Sequence, residues 1–133
     1  MSSIERLPPH SVEAEEAVLG SLLIDPDAIL EVASFLRADA FYKERNRWIY
    51  QAILDLHDAR EPLDFITLTE MLRQRGQLED AGGEAYLIGL LNAVPTSVNA
   101  ASYGRIVEAA AVRRGLIQIA STIANLAYDE DEQ

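Results

Sequence analysis

The sequence predicts an all-α protein, a compact head of about five helices followed by one long helix. Three observations carry that prediction. Strict alternation of apolar and polar residues, the mark of a half-buried strand, is nearly absent. Helix stop and start signals punctuate the chain at Asp25-Pro26, Gly76, Gly82-Gly83 and Pro95. The last stretch, Ser102 to Asp129, holds no proline and repeats apolar residues at helical spacing.

Residues 1–10 read as an irregular arm, because Pro8 and Pro9 deny it a helix. Ser11 is an N-cap for a first helix from Val12 to about Ile24. Glu13, Glu15 and Glu16 fall in its early turns, where carboxylates interact favourably with the helix dipole. Ala14, Ala17, Val18, Ser21 and Leu22 form a small-residue face that lets another helix approach closely, widened by Leu19 and Leu23. Asp25 caps a second helix with Pro26 at its first position and Ile29, Leu30, Ala33 and Leu36 on its apolar face. Phe41 and Tyr42 lie in a connector. A third helix spans about Glu44 to Ala59, with Ile49, Ala52, Ile53 and Leu56 inward and Trp48 and Tyr50 flanking them.

The string EPLDF reads as a loop. Thr67 and Glu70 fit a capping box, so a fourth helix is expected from about Leu68 to Arg75, closed by Gly76. Ala85 to Ala93 makes a fifth, with Leu87, Leu90, Leu91 and Val94 near one face, and Pro95 ends it. Thr96, Ser97 and Asn99 compete to cap the final helix. The expected organisation is an arm at 1–10, a helical head at 11–95, the long helix at 96–128 and an acidic tail at 129–133.

The final helix should measure roughly 40 Å. Ala109, Val112, Leu116, Ile119, Ile123 and Leu126 recur at alternating steps of three and four, a heptad-type seam. Beside it runs a second row, Ile106, Ala110, Ile117, Ala120, Ala124 and Ala127. Together they cover an arc of roughly 200°, against about 100° for an ordinary surface helix. Arg114, Gln118, Ser121, Thr122 and Asn125 fill the opposite face. Either this helix is central in its own core, or part of it meets another helix or subunit. No further element follows to supply a partner, which favours assembly or a longer parent chain. Val112, Leu116, Ile119, Ile123 and Leu126 are therefore the candidate oligomerisation residues.

The 133 residues suffice for one domain with one core, and 49% of them are hydrophobic. There is no cysteine, which excludes disulfides and thiolate zinc sites. No apolar run reaches a membrane span and no signal-peptide core opens the chain, so a cytoplasmic protein with no membrane partner is expected. The net charge of -11, from 11 basic and 22 acidic residues, weakens sequence-independent nucleic-acid binding. Lys43, Arg45 and Arg47 are the local exception.

The motifs of common chemistry are missing. There is no phosphate loop, no nucleophile elbow and no His-based metal spacing. His10 and His57 read as surface or loop histidines. No pair of carboxylates is evidently placed in an apolar pocket for acid–base work. Gly82-Gly83 before a helix is an anion-site pattern, but a plain turn explains it better. Trp48 and Tyr50 beside Arg45 and Arg47 fit packing on an amphipathic helix better than a base-stacking patch. Neither a catalytic residue, a metal nor a cofactor is expected.

One stretch is distinctive. LPPHSVEAEEAVLGSLLIDPDAI, from Leu7 to Ile29, resembles the opening of bacterial replicative DNA helicases of the DnaB type. Phe41-Tyr42, Glu61-Pro62, Gly82-Gly83 with Tyr86-Leu87, Val94 to Thr96, Tyr103, Arg105 to Val107 and Arg113-Arg114 continue the match. The resemblance covers almost the whole chain. It implies that the long helix is the first arm of a helical hairpin, in a non-catalytic collar domain that assembles the helicase hexamer and docks primase during DNA replication. ATP and Mg would belong to a RecA-like motor domain, the ATP-dependent unwinding part of the parent protein. By the same resemblance the primase-binding positions are Glu13, Tyr86, Ile117 and Ile123, and the partners are other helicase subunits and the primase C-terminal domain. Ala59-Arg60 departs from a more usual glycine-containing turn, and Gly115 replaces a bulky apolar residue. The second hairpin helix would follow Gln133, so a longer parent is expected. The alternative is the helicase-binding helical domain of primase, against which the EAE-x-AVLG opening argues.

Overall fold

The structure, a computed structural model, describes residues 6–94 and 97–129. Among these residues every regular element is helical, as expected. The expected stop at Pro95, the cap candidate Thr96, and residues 1–5 and 130–133 lie outside the described residues.

Helix α1 (Val12–Ile24) opens on the predicted cap, Ser11, whose Oγ accepts the Ala14 N–H at 3.1 Å. Nine of its 13 residues are buried, which makes it the centre of the head. It packs against α3 (Glu44–Asp58), α5 (Gly83–Leu91) and α6 (Ala100–Tyr128). Small residues make this possible. A Cβ at Gly20 would overlap the Leu90 carbonyl oxygen of α5, so only glycine allows that approach.

The expected second helix is split. Asp25 caps a 3-10 turn, Pro26–Ala28, accepting the Asp27 N–H at 3.1 Å, and a short α2 (Ile29–Val32) follows. Ile29, Val32 and Leu36 are buried, but Leu30 is 68% exposed and Ala33 is exposed. The inward stripe steps 29, 32, 36, and residue 30 lies about 100° off it.

In α3 the predicted Ile49, Ala52, Ile53 and Leu56 face inward. Tyr50 is fully buried rather than flanking. Its hydroxyl donates to the Leu36 carbonyl at 2.9 Å, and its ring lies 5.0 Å from that of Phe41. Burial pushes its phenol well above the usual tyrosine range. The chain leaves α3 through Arg60, at φ 58, a left-handed conformation that favours glycine.

Helix α4 (Phe65–Gln74) starts earlier than expected, because its cap is Asp64 and not Thr67. Asp64 Oδ1 accepts the Thr67 N–H at 2.8 Å, and Thr67 Oγ1 accepts the Asp64 N–H at 3.0 Å. Thr67 is thus the third helical residue of the box. Helix α5 also starts earlier, since left-handed Gly82 serves as its N-cap. Leu87, Leu90 and Val94 are buried and Leu91 is half-buried.

Helix α6 spans 29 residues, but only Ala100, Gly104 and Val107 are buried. At its start Asn99 caps by position without a side-chain bond, and Ser97 donates instead to Asp25 Oδ2 at 3.3 Å. A Cβ at Gly104 would lie 3.1 Å from the Phe35 ring, on which Arg105 also stacks at 3.6 Å. From Leu116 onward every described residue is exposed. The final helix is therefore not the centre of its own core. Its first turns close the head and its outer half projects about 20 Å beyond it.

Candidate docking surface

The outer half of α6 has three faces. The stripe that enters the head, Ala100, Gly104, Val107 and Ala111, continues outward as Gln118 and Asn125, with Arg114 on its flank. Thus the head-side face turns polar where the head ends. The seam and the second row lie roughly 120° to either side of it, and no part of the described chain covers them. Val112, Leu116, Ile119, Ile123 and Leu126 are 55–62% exposed, and Ile106 and Ile117 are 50% and 53% exposed. A row of large apolar side chains left in water along one helix marks an interaction surface.

Arg114 fastens this arm to the head. Its guanidinium donates to the Pro9 carbonyl at 2.8 Å and the Ala40 carbonyl at 2.6 Å. Arg114 lies, as expected, on the face opposite the two apolar rows, and that face is the one turned to the head. A helix projecting from a head must be anchored at its exit, and a long cation that satisfies two carbonyls does this.

The acidic start of α1 divides by face. Glu13 is exposed. Glu15, about 200° further round the wheel, is 1% exposed. Its carboxylate accepts the Tyr42 N–H at 2.6 Å, the Lys43 N–H at 3.3 Å and Asn46 Nδ2 at 2.8 Å. Lys43 is the N-cap residue of α3 and gives no side-chain cap. Glu15 therefore caps α3 from another helix. Helix-end electrostatics in α1 alone does not account for it. The signal was in the spacing, since two acids two residues apart cannot share one helix face.

Tyr86 joins the same cluster. Its hydroxyl donates to Asn46 Oδ1 at 2.6 Å, with Glu16 Oε2 at 3.3 Å. The Arg45 guanidinium lies 4.1 Å from its ring centroid. Its pKa is pushed up to about 12, first by burial and then by the Glu16 charge. Tyr86 is half-buried, and its hydroxyl is held by side chains of two other helices, Glu16 of α1 and Asn46 of α3.

The four sequence-derived docking positions thus form two groups. Glu13 lies one turn before Glu16 on the same face of α1, so Glu13 and Tyr86 share one end of the head. Ile117 and Ile123 sit on the projecting arm, on different rows. Among the described residues no group of His, Asp or Glu could hold a metal ion, and no helix is long and apolar enough to cross a membrane.

The fold is a helical head, with a polar clasp joining three of its helices, and a projecting arm whose large apolar side chains are exposed. Residues 7–109 match the family described as the DnaB-like helicase N terminal domain, and the chain belongs to that family. It is 42% identical over 129 residues to the replicative DNA helicase DnaB of Geobacillus stearothermophilus and 40% identical over 129 residues to the replicative DNA helicase DnaC of Bacillus subtilis. Each alignment takes in 97% of this chain but only 28% of the relative, so the chain spans little more than a quarter of their length. The crystal structure of the N-terminal domain of DnaB helicase from Mycobacterium tuberculosis superposes with a TM-score of 0.91 at 37% identity, over 96% of this chain and 90% of that one. A DnaB-like replicative helicase described with its interactions with primase superposes at 0.77 with 28% identity, over 90% of this chain and 28% of that one. The family and the relatives named here are those of the helicase and not of primase.

Proposed function

We propose that this domain is the collar-type scaffold of a replicative DNA helicase: it joins subunits through α6 and docks the primase C-terminal domain, while ATP, Mg and DNA unwinding belong to a motor domain of the parent protein. The observation that carries this reading is the uncovered seam of α6, Val112, Leu116, Ile119, Ile123 and Leu126, on a helix otherwise anchored to a folded head. Membership of the helicase family supplies the class of partner. The relative described with primase interactions supports the docking role. Glu13 is the exposed rim carboxylate of the surface, Tyr86 its partly buried aromatic anchor, and Ile117 and Ile123 its apolar contacts on the arm. Because those isoleucines sit on different rows, a docked primase domain meets two neighbouring copies, or one of the two acts by shaping the hairpin.

Calorimetric titration with a primase C-terminal domain tests the docking role. The expected result is saturable binding that Ile117→Lys weakens at least tenfold, about 1.4 kcal/mol, while Glu13→Ala loses less at high salt than at low salt. Wild-type affinity in both variants removes these positions from the site.

A further inference from the structure

A second surface of different chemistry lies where the N-terminal arm crosses α6. Arg6, Arg47, Arg113 and Arg114 line an open groove of about 870 Å3, against one carboxylate, Asp39. The whole chain has only 11 cations and carries a net charge of -11, so gathering four of them here runs against its overall balance. Arg114 is occupied with two carbonyls. Among the described residues Arg6, Arg47 and Arg113 enter no ion pair, and the Nε of Arg47 is buried without a hydrogen-bond partner. A guanidinium that lacks an anionic partner is available to pair with a carboxylate entering the groove. Apolar surface lies among these cations, with Leu7 73% exposed and Ile117 53% exposed.

We propose that this groove binds an acidic segment of a partner protein, with carboxylates on the arginines and an apolar side chain between Leu7 and Ile117. Two observations favour such a segment over single-stranded nucleic acid. The aromatic ring available for base stacking, Tyr42, is already stacked on His10 at 4.1 Å and flanked by Lys43 and Arg114 at 5.8 Å and 5.4 Å. A regular run of phosphates gains nothing from exposed Leu7 and Ile117. The groove shares Ile117 with the primase-docking surface, but the proposal rests on the arginines, so a failure of the primase reading leaves it standing.

The test uses the full chain and fluorescence anisotropy. The probes are a labelled peptide of repeating Glu-Leu-Glu units, the same peptide with Gln for Glu, and a labelled oligothymidine. The acidic peptide should bind and weaken as salt rises. Arg113→Gln should cost about tenfold in affinity, and Arg47→Gln with Arg113→Gln should abolish binding. Arg75→Gln, which lies outside the groove lining and pairs with Asp55, should have no effect. Arg113 is exposed and makes no hydrogen bond or ion pair among the described residues, so its variant keeps the fold and remains decisive even where Arg47→Gln lowers the helical circular dichroism. Equal peptide binding by wild type and Arg113→Gln, no binding of the acidic peptide, or tighter binding of oligothymidine than of peptide would each overturn the proposal.

Discussion

Replacing Glu15 by alanine tests how the head is locked together. The side chain is 1% exposed and its carboxylate accepts two short bonds, from Tyr42 N–H at 2.6 Å and Asn46 Nδ2 at 2.8 Å, and a longer one from Lys43 N–H at 3.3 Å. Hydrogen bonds to a charged group contribute about 1.5–3 kcal/mol each. Losing two of that kind and one weak bond would cost about 4–6 kcal/mol, offset by the burial penalty no longer borne by the charge. The net expectation is about 3–5 kcal/mol, a large part of a typical domain's stability of about 5–15 kcal/mol. Glu15→Gln keeps the volume but turns an N–H towards a donor, and about 2 kcal/mol is expected. Urea denaturation followed by circular dichroism reads both variants, with the midpoint falling and the slope constant. If Glu15→Ala unfolds within about 1 kcal/mol of wild type, the carboxylate does not hold α3 and the clasp described above is wrong.

Gly20→Ala should destabilise by about 1–3 kcal/mol, because its Cβ meets the Leu90 carbonyl oxygen and α1 and α5 must separate; a denaturation midpoint equal to wild type would refute that contact. Arg60→Gly should instead stabilise by about 0.5 kcal/mol, as relief of the left-handed strain at φ 58 exceeds the added freedom of the unfolded chain. Tyr86 ionises at about 12 in the folded protein against 10.0 when unperturbed, so the folded form holds its proton more tightly. Its contribution is complete below pH 10 and is lost as pH rises towards 12. Tyr86→Phe should therefore flatten the fall in urea midpoint across that window, and an unchanged alkaline profile would show that Tyr86 is not responsible.

Much of the fold was legible because its signals are local. Ser11, Asp25 and Gly76 perform the cap and stop roles that their residue types imply. Where two local signals competed, proximity misled: Thr67 with Glu70 and Asp64 with Thr67 both spell a capping box, and only the structure shows that Phe65, Ile66 and Thr67 belong inside the helix. The surplus apolar surface of α6 was readable from its periodicity, but its meaning was not. Residues 100, 104 and 107 are small or slender and do not stand out beside the isoleucines, yet they make the contact with the head. The clasp was hidden for a different reason. Glu15, Asn46 and Tyr86 are 31 and 40 residues apart along the chain, and polar residues on helices read as solvent-facing until a structure brings them together. Likewise the basic groove draws its arginines from three distant places, Arg6, Arg47 and Arg113-Arg114, and shows in no window of the sequence.

The outer half of α6 is either interface or misplaced core, and the double substitution Ile119→Lys with Ile123→Lys separates the two. Both side chains are about 60% exposed, at 58% and 62%, so lysine there breaks no contact within the chain. Sedimentation velocity over a range of concentrations, with circular dichroism and urea denaturation on the same samples, is the direct measurement. An interface predicts concentration-dependent association of the wild type, a monomeric variant, and unfolding free energies that agree within about 0.5 kcal/mol. A wild type that stays monomeric throughout, or a variant whose head unfolds, would contradict the assignment of α6 as the arm through which this domain meets its partners.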